Sequence, residues 1–339
     1  MGASLMPTDP AAAAYILAPT LHLSAQPFWG DAELGGESFA GQGTRFPLMG
    51  IAFPVARLGG TATLTLGGFM DQRWEVERED TEELGGVEIP VLEEFVSDGG
   101  VSTVRFGWAQ RIGDRVAVAA DLGGRIGSVT RTFTRTLDTS DLQTLVDPYV
   151  ESVQWQYSGF STSFGVLFAP LEILRVSGTL TLSGDLKAKP ISSSDKEGAT
   201  YKLPTEYRLG VAARMTPRLA MNLGLSHANW EASSDGLEPE TVAGAVWGFG
   251  GGAEWLGPQV GSRFFPIRLG FRRTDLPFQF DGQTPTETAF SGGIGLNLTP
   301  GNAVVLGAVD LALERGSREA GTLSETFWRG TVTFRVSTW

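Results

Sequence analysis

Few residues in this chain could do chemistry. It has two histidines, His22 and His227, and no cysteine, which removes disulfides and thiolate metal centres. No metal-ligand spacing and no phosphate-binding glycine loop appears, so no metal or cofactor is expected. A hydrolase would need a serine and an acid gathered around a histidine. His227 instead falls in phase with Leu225, on the apolar side of its segment, and Gly250-Gly-Gly-Ala sits inside an extended stretch. The expectation is a protein that is not an enzyme.

Charge and apolar surface remain. The net charge is −12, and ten acids crowd one stretch: Glu75, Glu77, Glu79, Asp80, Glu82, Glu83, Glu88, Glu93, Glu94 and Asp98. They read as a solvated, self-repelling loop, or as a place where divalent cations bridge to lipopolysaccharide phosphates. An acidic chain without a basic stripe argues against nucleic acid as a partner. Three apolar groups interrupt the polar connectors. Leu142, Leu145, Val146 and Tyr149 recur at helical spacing after Ser140 or Asp141 as a cap. Ile89, Val91, Leu92 and Phe95 do the same, and Pro277, Phe278 and Phe280 form the third group. They suit an apolar entrance for a hydrophobic ligand, since burying an alkyl chain gains about 0.8 kcal/mol per methylene. They equally suit a lid packed on itself.

The elements that must position these groups have a period of two. Leu219, Met221, Leu223 and Leu225 alternate with Ala220, Asn222, Gly224 and Ser226. Val305, Gly307, Val309, Leu311 and Leu313 alternate with Leu306, Ala308, Asp310, Ala312 and Glu314. Such alternation marks a strand with two unlike faces. No apolar run is long enough for a membrane-spanning helix, and 45 glycines, 20 phenylalanines and 19% charged residues fit a barrel wall. The fold class expected is all-β, a transmembrane antiparallel β-barrel of about fourteen strands. The candidate strands are 20–28, 46–56, 61–74, 101–111, 115–133, 152–169, 175–187, 200–215, 218–230, 242–255, 265–273, 288–298, 303–314 and 325–339.

Connector lengths support this. Short turns at 57–60, 112–114, 216–217 and 299–302 alternate with mostly longer connectors at 75–100, 134–151, 188–199, 231–241, 274–287 and 315–324. Short periplasmic turns and long extracellular loops are the pattern of a bacterial outer-membrane barrel. Trp29, Trp74, Trp155, Trp230 and Trp328 fall near the long-loop ends, and Trp108, Trp255 and Trp339 near the short-turn ends. These make two interfacial belts, with Trp247 fitting neither. If the apolar face meets lipid, the bore receives Arg105, Asp121, Asp185, Arg208, Arg214, Glu254, Arg268, Arg272, Asp310, Glu314, Arg329 and Arg335. An arginine facing lipid at mid-membrane would cost about 2–4 kcal/mol, which fixes the faces.

Tyr207-Arg-Leu-Gly-Val-Ala-Ala-Arg-Met-Thr-Pro-Arg-Leu219, Phe265-Pro-Ile-Arg-Leu-Gly-Phe-Arg-Arg273 and Phe290-Ser-Gly-Gly-Ile-Gly-Leu296 resemble segments of the outer-membrane long-chain fatty-acid transporter (FadL-type) family. That resemblance implies passive uptake of hydrophobic small molecules, fatty acids or aromatic hydrocarbons. They would be caught in the outer loops and released sideways near a kinked strand, for which Gly67-Gly68 is the candidate. It also implies an N-terminal plug. Residues 1–19 form only a short segment ahead of a barrel at 20–339, and Ala18-Pro19 is at most a plug remnant. Val332, Phe334 and Val336 are in phase with one another and Trp339 is one step out, which a bulge would repair. Met1 to Ala14 lacks a basic start and a long apolar core, so these residues are not expected to be a signal peptide. The partners expected are outer-membrane lipid, lipopolysaccharide, a hydrophobic ligand and the barrel-assembly machinery. A general porin for polar solutes, or a structural or partner-binding barrel, are the alternatives.

Overall fold

The computed structural model describes residues 5–6, 8–34, 37–84, 86–138, 146–191, 196–234, 244–261, 263–280, 282–298 and 306–338. In chain order its strands are β1 Thr20–Leu34, β2 Glu37–Val55, β3 Gly60–Asp71, β4 Trp74–Leu84, β5 Val87–Ile112, β6 Val116–Leu137 and β7 Tyr149–Leu171. They continue with β8 Leu174–Ser183, β9 Leu186–Pro190, β10 Ala199–Tyr201, β11 Glu206–Thr216, β12 Leu219–Asn229 and β13 Ala245–Trp255. After a small hairpin of β14 Gln259–Val260 and β15 Arg263–Phe264 come β16 Ile267–Asp275, β17 Thr286–Asn297, β18 Gly307–Ala320 and β19 Leu323–Ser337. β3 and β4 run in succession along β5, and the pairs β8 with β9 and β10 with β11 are likewise broken staves. Fourteen antiparallel staves therefore close the cylinder. β1 pairs with β2 on one side and with β19 on the other, Thr20 opposite both Ala52 and Ser337.

Closing β1 on both β2 and β19 leaves the large sheet without a terminal strand, which is what a strand structure in lipid requires. The alternating sequence then sorts itself. Leu209, Leu223, Phe249, Leu269, Ile294, Leu311 and Phe334 stand exposed on the outside. Thr61, Thr65, Thr103, Ser161, Ser163, Thr179 and Thr181 are buried toward the bore. The outer wall carries cross-strand aromatic rows. Tyr207, His227 and Trp247 follow one another at centroid distances of 6.3 and 4.2 Å, and Phe249, Phe271 and Phe290 at 5.6 and 4.9 Å with tilted rings. Trp247 thus joins the long-loop belt after all, because β13 starts at Ala245 rather than 242. Trp155 leaves that belt: its ring packs inward against a cluster containing Tyr157 and Leu186.

Several further expectations are corrected. The 75–100 stretch is a hairpin of β4 and β5, not a loop with helical spacing. Its residues alternate by two, so Ile89, Val91 and Glu93 are buried while Leu92 is exposed. Glu93 is held by Arg78 at 2.5 Å and Arg135 at 3.6 Å, which explains how so acidic a segment folds back on itself. Asp185 is exposed rather than in the bore, because the break between β8 and β9 resets the alternation. At the opposite end the turns are tight; Gly113 sits at φ +65° between β5 and β6, a conformation glycine adopts without strain.

Candidate ligand passage

The bore begins at the short-turn end with the N-terminal segment, which lies inside the cylinder. A 3-10 helix, Pro10–Tyr15, buries Ala11, Ala12, Ala13 and Ala14 against Ala52, Ala109, Ala117, Ala119 and Leu167 of the wall. Small residues on both sides permit this close approach. A Cβ at Gly165 would come 2.8 Å from Pro10 Cγ, so glycine is needed there. Tyr15 lies between two guanidiniums, Arg175 Cζ at 4.6 Å and Arg111 Cζ at 5.8 Å from its ring centre.

Beyond the segment are two connected spaces. A cavity of about 920 Å³ runs along β11 to β18 and touches Thr8, Asp9, Asn222, Arg268 and Arg272. A second, of about 760 Å³, lies toward the long loops and shares Thr8 and Arg208 with the first. Its lining includes Pro47, the run Gly67 to Met70, Arg105, Arg125, Tyr157, Leu186, Tyr201, Trp230 and Phe278.

Charge is distributed unevenly around these spaces. On β16 to β19, Glu287 receives Arg272 at 2.5 Å, Arg318 at 2.5 Å and Arg329 at 3.0 Å. Glu314 receives Arg272 at 2.9 Å and Arg329 at 3.0 Å, and Glu325 holds Arg318 at 2.8 Å. Below them Arg268 bridges Glu254, at 2.6 Å, and Asp310. On the facing wall Arg105 reaches Asp121 only at 3.7 Å, while Arg208 takes Glu206 at 2.8 Å. Arg125, 1% exposed, has no acidic partner among the described residues. It donates to the Phe160 carbonyl at 2.9 Å and to Ser183 Oγ at 2.8 Å, and its Nε is buried without a partner.

The wall itself changes beside Arg125. β2 and β3 pair from Val55 opposite Gly60 up to Met49 opposite Leu66, and no ladder pair joins them beyond that among the described residues. Above that point β2 continues with β1 alone, and β3 and β4 with β5 alone. The β3–β5 register slips between Gly68 and Met70, leaving Phe69 as the extra residue of a bulge. The Phe69 ring lies 4.5 Å from the Arg125 guanidinium. A Cβ at Gly68 would meet nothing within 4 Å.

The residues singled out from the sequence scatter across this arrangement. Arg105 and Arg208 line the upper cavity with Phe278, and Arg268, Arg272 and Asp310 line the central one. Asp121 is buried behind Arg105, Arg329 is buried in the network, and Arg214 stands exposed at the short-turn end of β11. Of the apolar groups, Phe278 and its neighbour Pro277 alone reach the cavity among the described residues. Phe280 instead closes a small turn with Gln283, Phe95 meets Phe133 at a tilt with centroids 4.8 Å apart, and Tyr149 meets Phe133 edge-on at 6.3 Å. Val146 is exposed, and Leu142, Leu145 and Trp339 lie outside the described residues. Arg125 and Glu287 were not anticipated. Arg125 shares parity with Asp121 along one strand, which was signal enough; Glu287 gave none, since it ends a polar connector.

No protein-family model matches the sequence, and no curated protein matches it. Solved structures do. The CymD monoaromatic hydrocarbon channel aligns at a TM-score of 0.61 and 14% identity, over 100% of this chain and 93% of its own. The Pseudomonas putida toluene transporter TodX gives 0.63 and 11%, over 98% and 93%. A Pseudomonas aeruginosa FadL homologue gives 0.60 and 11%, over 99% and 96%. A closed barrel with a wall bulge at its third stave and the 3-10 helix Pro10–Tyr15 tucked inside, this chain has the fold of the FadL-type channels.

Proposed function

We propose that this chain is an outer-membrane channel for passive uptake of hydrophobic small molecules, with a sideways exit between β2 and β3. The observation that carries this is the upper cavity, whose lining includes Pro47 and Gly67 to Met70 where the β2–β3 ladder stops. Unpaired backbone facing lipid costs several kcal/mol per group, so a ladder gap at membrane depth is tolerated where it borders a cavity. A hydrophobic solute that leaves there enters the bilayer without crossing water. The fold shared with channels named for toluene and monoaromatic hydrocarbons supports the same substrate class. In this reading residues 5–18 act as a short plug at the periplasmic end. Phe278 belongs to the entrance, and lipid, lipopolysaccharide and the assembly machinery are the surroundings.

Two variants test the exit. Gly68→Trp places an indole beside the gap, at a position where a Cβ meets nothing within 4 Å. An added barrier of ~1.4 kcal/mol slows uptake of a neutral hydrocarbon probe into vesicles about tenfold. The chain has no cysteine, so Pro47→Cys with Gly67→Cys forms a unique pair. A Cβ at Gly67 lies 3.2 Å from the Pro47 carbonyl oxygen, so the two chain segments are adjacent, and a bridge formed on oxidation closes the gap and reopens it on reduction. Folded variants that take up the probe at the parent rate in both states refute the sideways exit. Open ion conductance in planar bilayers favours a porin.

A further inference from the structure

We propose that the upper cavity is a binding site for hydrophobic aromatic carboxylates, with Arg125 holding the anionic head. This rests on the uptake reading above and narrows its substrate. Four arginines, Arg105, Arg125, Arg131 and Arg208, line this cavity against a single lining acid, Glu206. Glu206 is taken by Arg208 and the buried Asp121 faces Arg105. Arg125 and Arg131 have no acidic partner among the described residues. A guanidinium held out of water without a counter-charge is costly, and the cost falls when an anion arrives. On the facing wall Arg268, Arg272, Arg318 and Arg329 are each matched by carboxylates.

Arg125 is also built to receive a ligand. Phe160 and Ser183 fix the two Nη groups, Phe69 covers the guanidinium face at 4.5 Å, and Nε is left without a partner. The apolar part of the lining is rich in rings, with Phe69, Tyr157, Tyr201, Trp230 and Phe278. Ring edges and faces reward a planar aromatic body more than a straight alkyl chain. Since Phe69 is the bulged residue of the wall gap, a head held on Arg125 places the ligand beside that gap.

The test is equilibrium binding by calorimetry with the full chain in nonionic micelles, corrected for partition into empty micelles. The probes are biphenyl carboxylate, its methyl ester and dodecanoate. The carboxylate is expected to bind roughly 10- to 100-fold tighter than the ester, the range for a hydrogen bond to a charged group. In Arg125→Gln that ratio falls to about one. Equal binding of acid and ester to the parent chain overturns the inference without needing any variant to fold. So does a ratio that survives Arg125→Gln, and dodecanoate binding as tightly as biphenyl carboxylate overturns the aromatic part. An acid-to-ester ratio of one with intact, Gly68→Trp-sensitive hydrocarbon uptake defeats this inference alone. No binding and no uptake of any probe defeats the channel reading with it.

Discussion

On the wall formed by β16 to β19, Glu287 is 5% exposed at the side chain and gathers Arg272, Arg318 and Arg329, while Glu314 ties two of them again. On the wall formed by β5 to β9, Arg125 is as deeply buried and leans on a carbonyl, a hydroxyl and a phenyl ring. The first wall has neutralised itself and has little left for a solute. The second leaves positive charge and aromatic surface beside an interrupted ladder. On our proposal, a bore that is internally satisfied on one side and unfinished on the other guides a ligand to the unfinished side.

Stability measurements probe this contrast most strongly. Glu287→Ala strands guanidiniums that no longer have enough carboxylates, and breaking a buried ion pair on one side costs about 3–5 kcal/mol. Arg125→Met removes a desolvated charge together with its two hydrogen bonds, losses that offset one another to within about 1 kcal/mol. Reversible guanidinium unfolding of the barrel from micelles compares them. Equal losses would show that both walls treat their arginines as structure, and the contrast would be void.

The two walls were not equally legible in the sequence. Alternation at 219–225 and 305–313 gave the barrel, and parity placed Arg268, Arg272, Asp310, Glu314 and Arg329 in the bore. What parity lacks is register. Glu287 meets Arg272 and Arg329 only because β17 starts at Thr286 and aligns Ala289 with Arg272 and Gly316. The wall gap was half legible: Gly67-Gly68 marked a weak point, but which neighbour it loses depends on where the β2–β3 ladder stops. The acidic 75–98 run misled because charge density suggests a loop, whereas Arg78 and Arg135 neutralise Glu93 enough for strand pairing to extend.

The N-terminal segment sharpens the comparison at an intermediate scale. It packs on β5, β6 and β7, the unfinished side, through alanines rather than ion pairs. Ala13→Asp sets a carboxylate at a site that is 2% exposed, and burying it without a partner costs more than the about 1–3 kcal/mol of a neutral polar group. The segment then leaves the bore and single-channel conductance rises in planar bilayers, while barrel unfolding stays close to the parent. Unchanged conductance would mean that the segment does not limit the bore.

The smallest expected effect lies outside the bore. Trp247 meets His227 at 4.2 Å in a row that begins with Tyr207, and all three face lipid near the long-loop interface. Trp247→Ala removes a cross-strand aromatic contact but leaves the site in an apolar solvent, so the transfer part of the loss is small. About 0.5–1.5 kcal/mol is expected, the scale of one aromatic pair. Acid-to-ester selectivity should not move, because no atom of the charged walls is touched. If Trp247→Ala destabilised the barrel as much as Glu287→Ala, the exterior belt rather than the ionic wall would be holding that half of the cylinder. The difference between the two walls would then lie in how each meets the membrane.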